Sequence, residues 1–169
     1  MNAVIDYYNV VYLIFFKCSA QENDMMEAVN KKNVTSMEQL KGAMVKYADE
    51  GLSRLDTLKA YKGDNSLKTA CQKALMFYKK EGEKMSVYTD FFMKETAFDQ
   101  VKKGFESNPS FKSNKTEIDK YNKAVKEMND GSNNYNKTNK ELNEQRTDMY
   151  NNWNEAGRQF MDKNMPYAG

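Results

Sequence analysis

The residue types able to do chemistry in this chain are carboxylates, tyrosines, methionines and two cysteines, because histidine is absent. That absence removes the commonest general base near neutral pH and the commonest metal ligand. Glu81, Glu83 and Glu95, and Glu117 with Asp119, lie close enough in sequence to suggest paired acids or a metal site. Helical bundles that hold two irons combine glutamates with Glu-x-x-His pairs, which this chain cannot supply. These acids are therefore expected on solvated helix faces, with no metal and no cofactor. The twelve methionines invite a soft-metal reading. Yet Met44, Met85, Met128 and Met149 recur at apolar helical positions, where an adaptable side chain fills a core. Cys18 and Cys71 also fall on apolar stripes of the first and third helices. Counting back along those parallel helices places Cys18 about five positions above Cys71, an offset of roughly 7 Å. With a normal interaxial distance added, the pair is too far apart for a bridge, so two free, buried thiols are expected.

A few polar residues interrupt otherwise apolar seams. Glu22 does so in the first helix, and Asn139 and Arg146 in the last. Asn139 and Arg146 either fix helix register or line a polar pocket, and register is the simpler reading. Near the end of the chain, Trp153, Ala156, Gly157 and Phe160 share one helical face, with small residues between aromatics as at a close helix crossing. Asn33-Val34-Thr35, Asn114-Lys115-Thr116 and Asn136-Lys137-Thr138 match the glycosylation acceptor pattern, which an asparagine-rich chain produces by chance.

The elements that position these residues are helices. Val4, Tyr8, Val11, Phe15, Cys18, Met25 and Val29 repeat at steps of three and four, which predicts a helix from about residue 2 to about 31. Ser36-Met37-Glu38-Gln39 reads as a capping box opening a second helix. Its stripe is Met37, Leu40, Met44, Tyr47, Leu55, Leu58 and Tyr61, with Gly51 where a neighbour can come close. Lys62-Gly63-Asp64-Asn65-Ser66 ends it with a left-handed glycine and caps the next helix. The third helix carries Leu67, Cys71, Ala74, Tyr78, Met85, Tyr88 and Phe92. It either continues through Phe98, Val101 and Phe105 or gives way to a short helix starting at Thr96. Ser107-Asn108-Pro109-Ser110 is a turn, since proline keeps its predecessor out of the helical region. Ile118, Tyr121, Val125, Met128, Tyr135, Leu142, Met149, Trp153 and Phe160 then hold one phase across Gly131, predicting a single last helix of about 45 residues, roughly 65 to 70 Å long.

At 169 residues, with 40% hydrophobic and 30% charged side chains, the chain suits one folded domain with its own core. The expected fold is all-α, an up-down-up-down antiparallel four-helix bundle with a longer hairpin of the third and fourth helices. A net charge of +2 spread along the chain gives no basic face, which argues against nucleic acid as a partner. Val10-Val11-Tyr12-Leu13-Ile14-Phe15-Phe16 ahead of Cys18 superficially suggests a lipoprotein leader. No basic residue precedes the run, Lys17 occupies the position before the cysteine, and the run is too short to span a bilayer. It is expected as a helix buried on more than one side.

The far end of the long hairpin carries Phe98, Phe105 and Phe111. Residues 96–112 either fold back over the bundle or project as a two-helix tip, which would leave these aromatics as an apolar contact surface for a protein or a second copy. Around the second helix junction, Tyr61-Lys62-Gly63-Asp64-Asn65-Ser66-Leu67 followed by Phe77-Tyr78-Lys79 resembles an uncharacterised family of exported helical surface proteins of Bacteroidetes and leptospires. The segment around Trp153, Gln159 and Phe160 is similar to that family's final helix, whereas the Asn-rich stretch from Asn129 to Asn139 departs from its pattern. The resemblance implies a location in the periplasm or at the cell surface and supplies no catalytic residues. The functional expectation is a non-enzymatic bundle that binds a protein or a cell-envelope component through Phe98, Phe105 and Phe111. The alternative is a carrier holding a small apolar ligand between helices lined by Tyr, Met and Phe.

Overall fold

Apolar periodicity of three to four residues folds the chain into four helices joined by short connections. In the computed structural model, which describes residues 2–165, these are α1 (Ala3–Asn30), α2 (Val34–Thr57), α3 (Ser66–Ser107) and α4 (Lys115–Asn164), with a 3-10 turn at Pro109–Ser113 between the last two. Among the described residues there is no strand beyond one isolated bridge between Tyr61 and Asp64.

The helix ends are set by side chains that satisfy free backbone amides. Asn2 accepts from the Val4 amide, Asn33 from the Ser36 amide and Asn114 from the Glu117 amide. The expected capping box at Ser36 is therefore not formed. Lys32 turns the chain at φ 50° immediately after α1. Helix α2 begins at once behind Asn33, with Ser36 already inside its first turn. Two of the three glycosylation-like asparagines, Asn33 and Asn114, are these caps.

Helix α2 also ends earlier than its stripe suggested, at Thr57 rather than near Tyr61. Leu58 is extended, and its carbonyl accepts from Lys68 Nζ at 2.9 Å. Leaving the helix lets Tyr61 reach the ends of two others, with its ring 5.4 Å from Tyr7 and 5.7 Å from Phe160. Gly63, at φ 84°, closes the tight Tyr61–Asp64 turn rather than capping α2 directly. Burial of Tyr61 between aromatics outweighs one more turn of helix.

Helix α3 runs unbroken through Thr96, whose hydroxyl donates to the Phe92 carbonyl at 3.0 Å. Helix α4 runs unbroken through Gly131, where α3 comes close: a Cβ there would lie 3.1 Å from Lys94 Cδ and 3.5 Å from Phe91 Cδ2. Gly51 serves a similar purpose on α2, facing Leu75 and Ile14.

Helix α3 is the central element, in contact with α1, α2 and α4, while the backbones of α2 and α4 stay apart. Helix α1 meets α4 mainly through large side chains. Phe15 stacks on Trp153 at 4.4 Å, and Gly157 leaves room for the Tyr8 ring. The small residues of that segment thus admit an aromatic side chain rather than a close backbone crossing.

Side-chain burial along α3 stops at Phe92, and along α4 it starts at Gly131. Beyond those points the two helices continue as a pair. The 3-10 turn at their end touches only α3 and α4. Residues 96–112 therefore project instead of folding back, and at 1.5 Å per residue the arm from Met93 to Ser107 is about 22 Å long. No residue from 93 to 130 is fully buried.

The apolar run of α1 departs from expectation. Val11, Ile14 and Phe15 face the core, but Leu13 is 61% and Phe16 50% exposed, with Val10 and Tyr12 also open. The run is buried on one side only, because α2, α3 and α4 cover just that side of α1.

Candidate functional site

Two places combine the features a site needs, a polar cluster inside the bundle and the aromatic arm outside it. The cluster takes one charged residue from each of three helices: Glu22 on α1, Glu81 on α3 and Arg146 on α4. Each stands where its helix would otherwise present an apolar seam residue. The Arg146 guanidinium donates through Nε to Glu22 Oε1 and through Nη2 to Glu81 Oε1, forming two charge-assisted bonds from one planar fork. Its Nη1 donates to Asn143 Oδ1 at 2.6 Å, and its face lies over the Phe77 ring at 5.7 Å. Tyr150 donates to Glu22 Oε2 at 3.0 Å and accepts from Tyr78 at 3.2 Å. Ser19 lies 3.4 Å from the same Tyr150 oxygen. Further along, Tyr88 donates to Asn139 at 2.9 Å, so the second polar residue of the α4 seam is satisfied as well.

Electrostatics favour the protonated form of one of the two acids. Burial, and then the negative charge of Glu22, push the Glu81 carboxyl up to about 8, against the pull of Arg146. Glu81 Oε2 is buried and meets no hydrogen-bond partner. An ionised Glu81 would leave charge on that oxygen with nothing to compensate it, which is costly in a low-dielectric interior. Burial therefore favours the protonated form of Glu81, and the Arg146 guanidinium bonds both acids. Burial works against the Arg146 charge, but Glu81 and Glu22 more than offset it and its pKa is raised. Burial also raises the Tyr78 phenol, and pushes Tyr88 up to about 12.

Contrary to the solvated face that its sequence suggests, Glu81 is fully buried. Its partner lies 65 positions away on another helix. A signal existed, since Glu81 continues the α3 series Cys71, Ala74, Tyr78 toward Met85 and Tyr88. Glu83 is exposed, and Glu95 pairs with Lys32 at 2.7 Å. Asn139 and Arg146 are held in defined pairs rather than lining an open pocket.

The cluster has the groups for acid–base chemistry but no route for a substrate to the carboxylates. Glu22 is 3% and Glu81 0% exposed, and only Arg146 reaches solvent in part. What it does is tie α1, α3 and α4 at one level. Among the described residues no group of three His, Cys, Asp or Glu side chains could hold a metal ion. Cys18 and Cys71 are both buried and unbridged, and burial pushes each thiol up to about 12.

On the arm, Phe98, Phe105 and Phe111 are half-buried rather than exposed. Tyr121 from α4 is the hub, with its ring 6.0 Å from Phe98 and stacked on Phe105 at 4.7 Å. Phe111 shares a small groove with Val101, Gly104 and Phe105, rimmed by Glu117 and Lys120. A second groove of about 270 Å³ runs over Ala97, Phe98, Val101 and Ala124. The structure thus brings the three phenylalanines onto one arm. A larger open groove, about 640 Å³, lies between α3 and α4 on the bundle itself, floored by Met76, Phe77 and Met149.

No helix among the described residues is long and apolar enough to cross a membrane. Comparison with family models, curated proteins and solved structures finds no match to the chain.

Proposed function

We propose that this chain is a non-enzymatic helical bundle, exported to the periplasm or cell surface, that binds a protein or cell-envelope component through its α3–α4 arm. The observation that supports this most directly is the arm. Two helices about 22 Å longer than the bundle they belong to add little to its core, and they carry Phe98, Phe105 and Phe111 in shallow grooves open to solvent. Half-buried aromatics flanked by charged residues suit a partner that adds the missing side of a core. The sealed state of the Glu22–Glu81–Arg146 cluster favours a structural over a catalytic role for the most perturbed acid of the chain.

The test is retention of envelope proteins or components by immobilised protein, comparing the native chain with the Phe98→Ser, Phe105→Ser, Phe111→Ser triple variant. Far-UV circular dichroism of the variant should show an intact bundle, since no core residue is changed. The arm reading requires that the variant lose what the native chain retains. Equal retention by both would remove the site from these residues. The alternative of a small apolar-ligand carrier is favoured only by the open groove over Met76, Phe77 and Met149. A fluorescent fatty-acid probe displaced by Met149→Glu would shift the reading toward it.

A further inference from the structure

The most apolar exposed surface of the molecule is on α1, and none of the arm residues belongs to it. Of the large hydrophobic side chains that stand exposed, Ile5, Val10, Tyr12, Leu13 and Phe16 fall within three turns of that helix. Tyr8, Tyr12 and Phe16 form a ladder of stacked rings, with centroids 6.1 Å and 5.9 Å apart. A patch of this density on an otherwise strongly charged surface calls for a cover.

The sequence of the patch says what kind of cover fits. Asp6, Val10, Leu13 and Lys17 follow one another at i, i+4, i+7 and i+11, so they make one row along the edge of the exposed face. The row is acidic at one end, basic at the other and apolar between. Turned end for end, it becomes its own complement: Asp6 meets Lys17, and Val10 meets Leu13. A two-fold axis passing level with Val11 and Tyr12 produces this pairing twice, as an isologous contact does. Ile5, Asn9, Tyr12 and Phe16 form the adjoining row and fill the seam beside it.

We infer that α1 is the interface of a two-fold dimer, in which two α1 helices pack antiparallel through Val10, Leu13, Tyr12 and Phe16 and each Asp6 pairs with Lys17 of the second copy. Asp6 has no ion-pair partner among the described residues. Lys17 bonds Glu50 on α2 at 3.2 Å and lies over the Tyr47 ring. That intrachain bond is exposed and leaves its ammonium able to take a second carboxylate. The fit selects a second copy over an unrelated partner because both halves of the match are written in the same twelve-residue stretch. It also differs from the arm reading, since the surfaces lie on different helices.

Analytical ultracentrifugation over a wide concentration range tests this. The native protein should show a reversible monomer–dimer equilibrium, and Leu13→Glu, a change at a side chain 61% exposed in the monomer, should weaken it by at least about tenfold with an unchanged melt. Asp6→Lys and Lys17→Asp should each weaken the dimer by placing like charges opposite one another twice. The double variant carrying both changes should restore it. A native protein that stays monomeric at the highest concentration overturns the inference, as does a dimer indifferent to Leu13→Glu. A double variant no better than the single ones overturns the antiparallel register. Monomeric protein that floats with lipid vesicles and loses that through Leu13→Glu would assign the face to a membrane surface instead.

Discussion

Replacing Glu81 by glutamine should flatten the pH dependence of stability between the ordinary carboxylate range and about pH 8. Glu81 has its folded-state pKa raised from the ordinary value of 4.5 to about 8. Above the lower value the unfolded chain gives up this proton while the folded protein retains it. Stability from this source is thus fully present at acidic pH, falls as pH rises through the window, and levels off above pH 8. The steepest slope for one proton is about 1.4 kcal/mol per pH unit, so the whole window amounts to about 3–5 kcal/mol. Glutamine has the shape of the protonated acid: its oxygen accepts from Arg146, and it has no proton to lose. Urea unfolding at pH 5, 6, 7, 8 and 9 measures both proteins. The two should be similar at pH 5, and the variant should be the more stable at pH 9. Histidine is absent, so no other side chain of ordinary pKa titrates in the middle of this range. Parallel curves for the two proteins would refute the raised pKa of Glu81.

Other outcomes follow from the same geometry. Arg146→Ala strips the buried Glu22 and Glu81 of their common donor and should cost about 3–5 kcal/mol in unfolding free energy, whereas replacing Glu22, Glu81 and Arg146 together by Leu or Met should be neutral to stabilising. Gly51→Ala puts a Cβ 2.7 Å from Leu75 Cδ1 and 3.0 Å from Ile14 Cγ2, both in packed surroundings. It should destabilise by about 1–3 kcal/mol. Gly42→Ala has open space around its Cβ and should raise stability by about 0.5–1 kcal/mol, as read by thermal denaturation. Cys18 and Cys71, with thiols pushed up to about 12 by burial, should resist a disulfide reagent at pH 8 until denaturant is added.

Much of this architecture is legible in the sequence because apolar spacing is a local property. The run from Ile118 to Phe160 holds one helical phase, and that phase carried α4 across Gly131 correctly. Long-range pairing is what local spacing misses. Glu81 stands on the apolar stripe between Tyr78 and Met85 but reads as a surface acid because its partners, Arg146 and Glu22, are brought to it only by the fold. Three charged seam residues, one on each of three helices and of opposite sign, were the available hint. Ser36 made a plausible cap, but the two-residue reversal after α1 handed that task to Asn33. The end of α2 was set by the distant rings of Tyr7 and Phe160, which attract Tyr61. The projection of the arm does not show in the spacing, because periodicity fixes a helix's length without saying what lies beside it. The exposed half of α1 escapes the sequence for a related reason: an apolar run records affinity for cover and does not record whether this chain supplies it.

The loss of burial at Phe92 and Gly131 divides two uninterrupted helices into stretches that open at different rates. Inside the bundle, an amide of α3 or α4 exchanges with solvent only through a large opening, since its neighbours belong to other helices. Past that boundary, apart from the Glu95–Lys32 pair in the first turn of the α3 arm, each turn is held by one opposing helix and by its own hydrogen bonds, and it can fray without disturbing the rest. Deuterium uptake along α3 should therefore step up after residue 92, in mid-helix and with no loop to mark the place. The same step should appear in α4 before residue 131. An arm whose tip is often open can adjust its grooves to what it meets, while the three-helix cluster below keeps the base fixed.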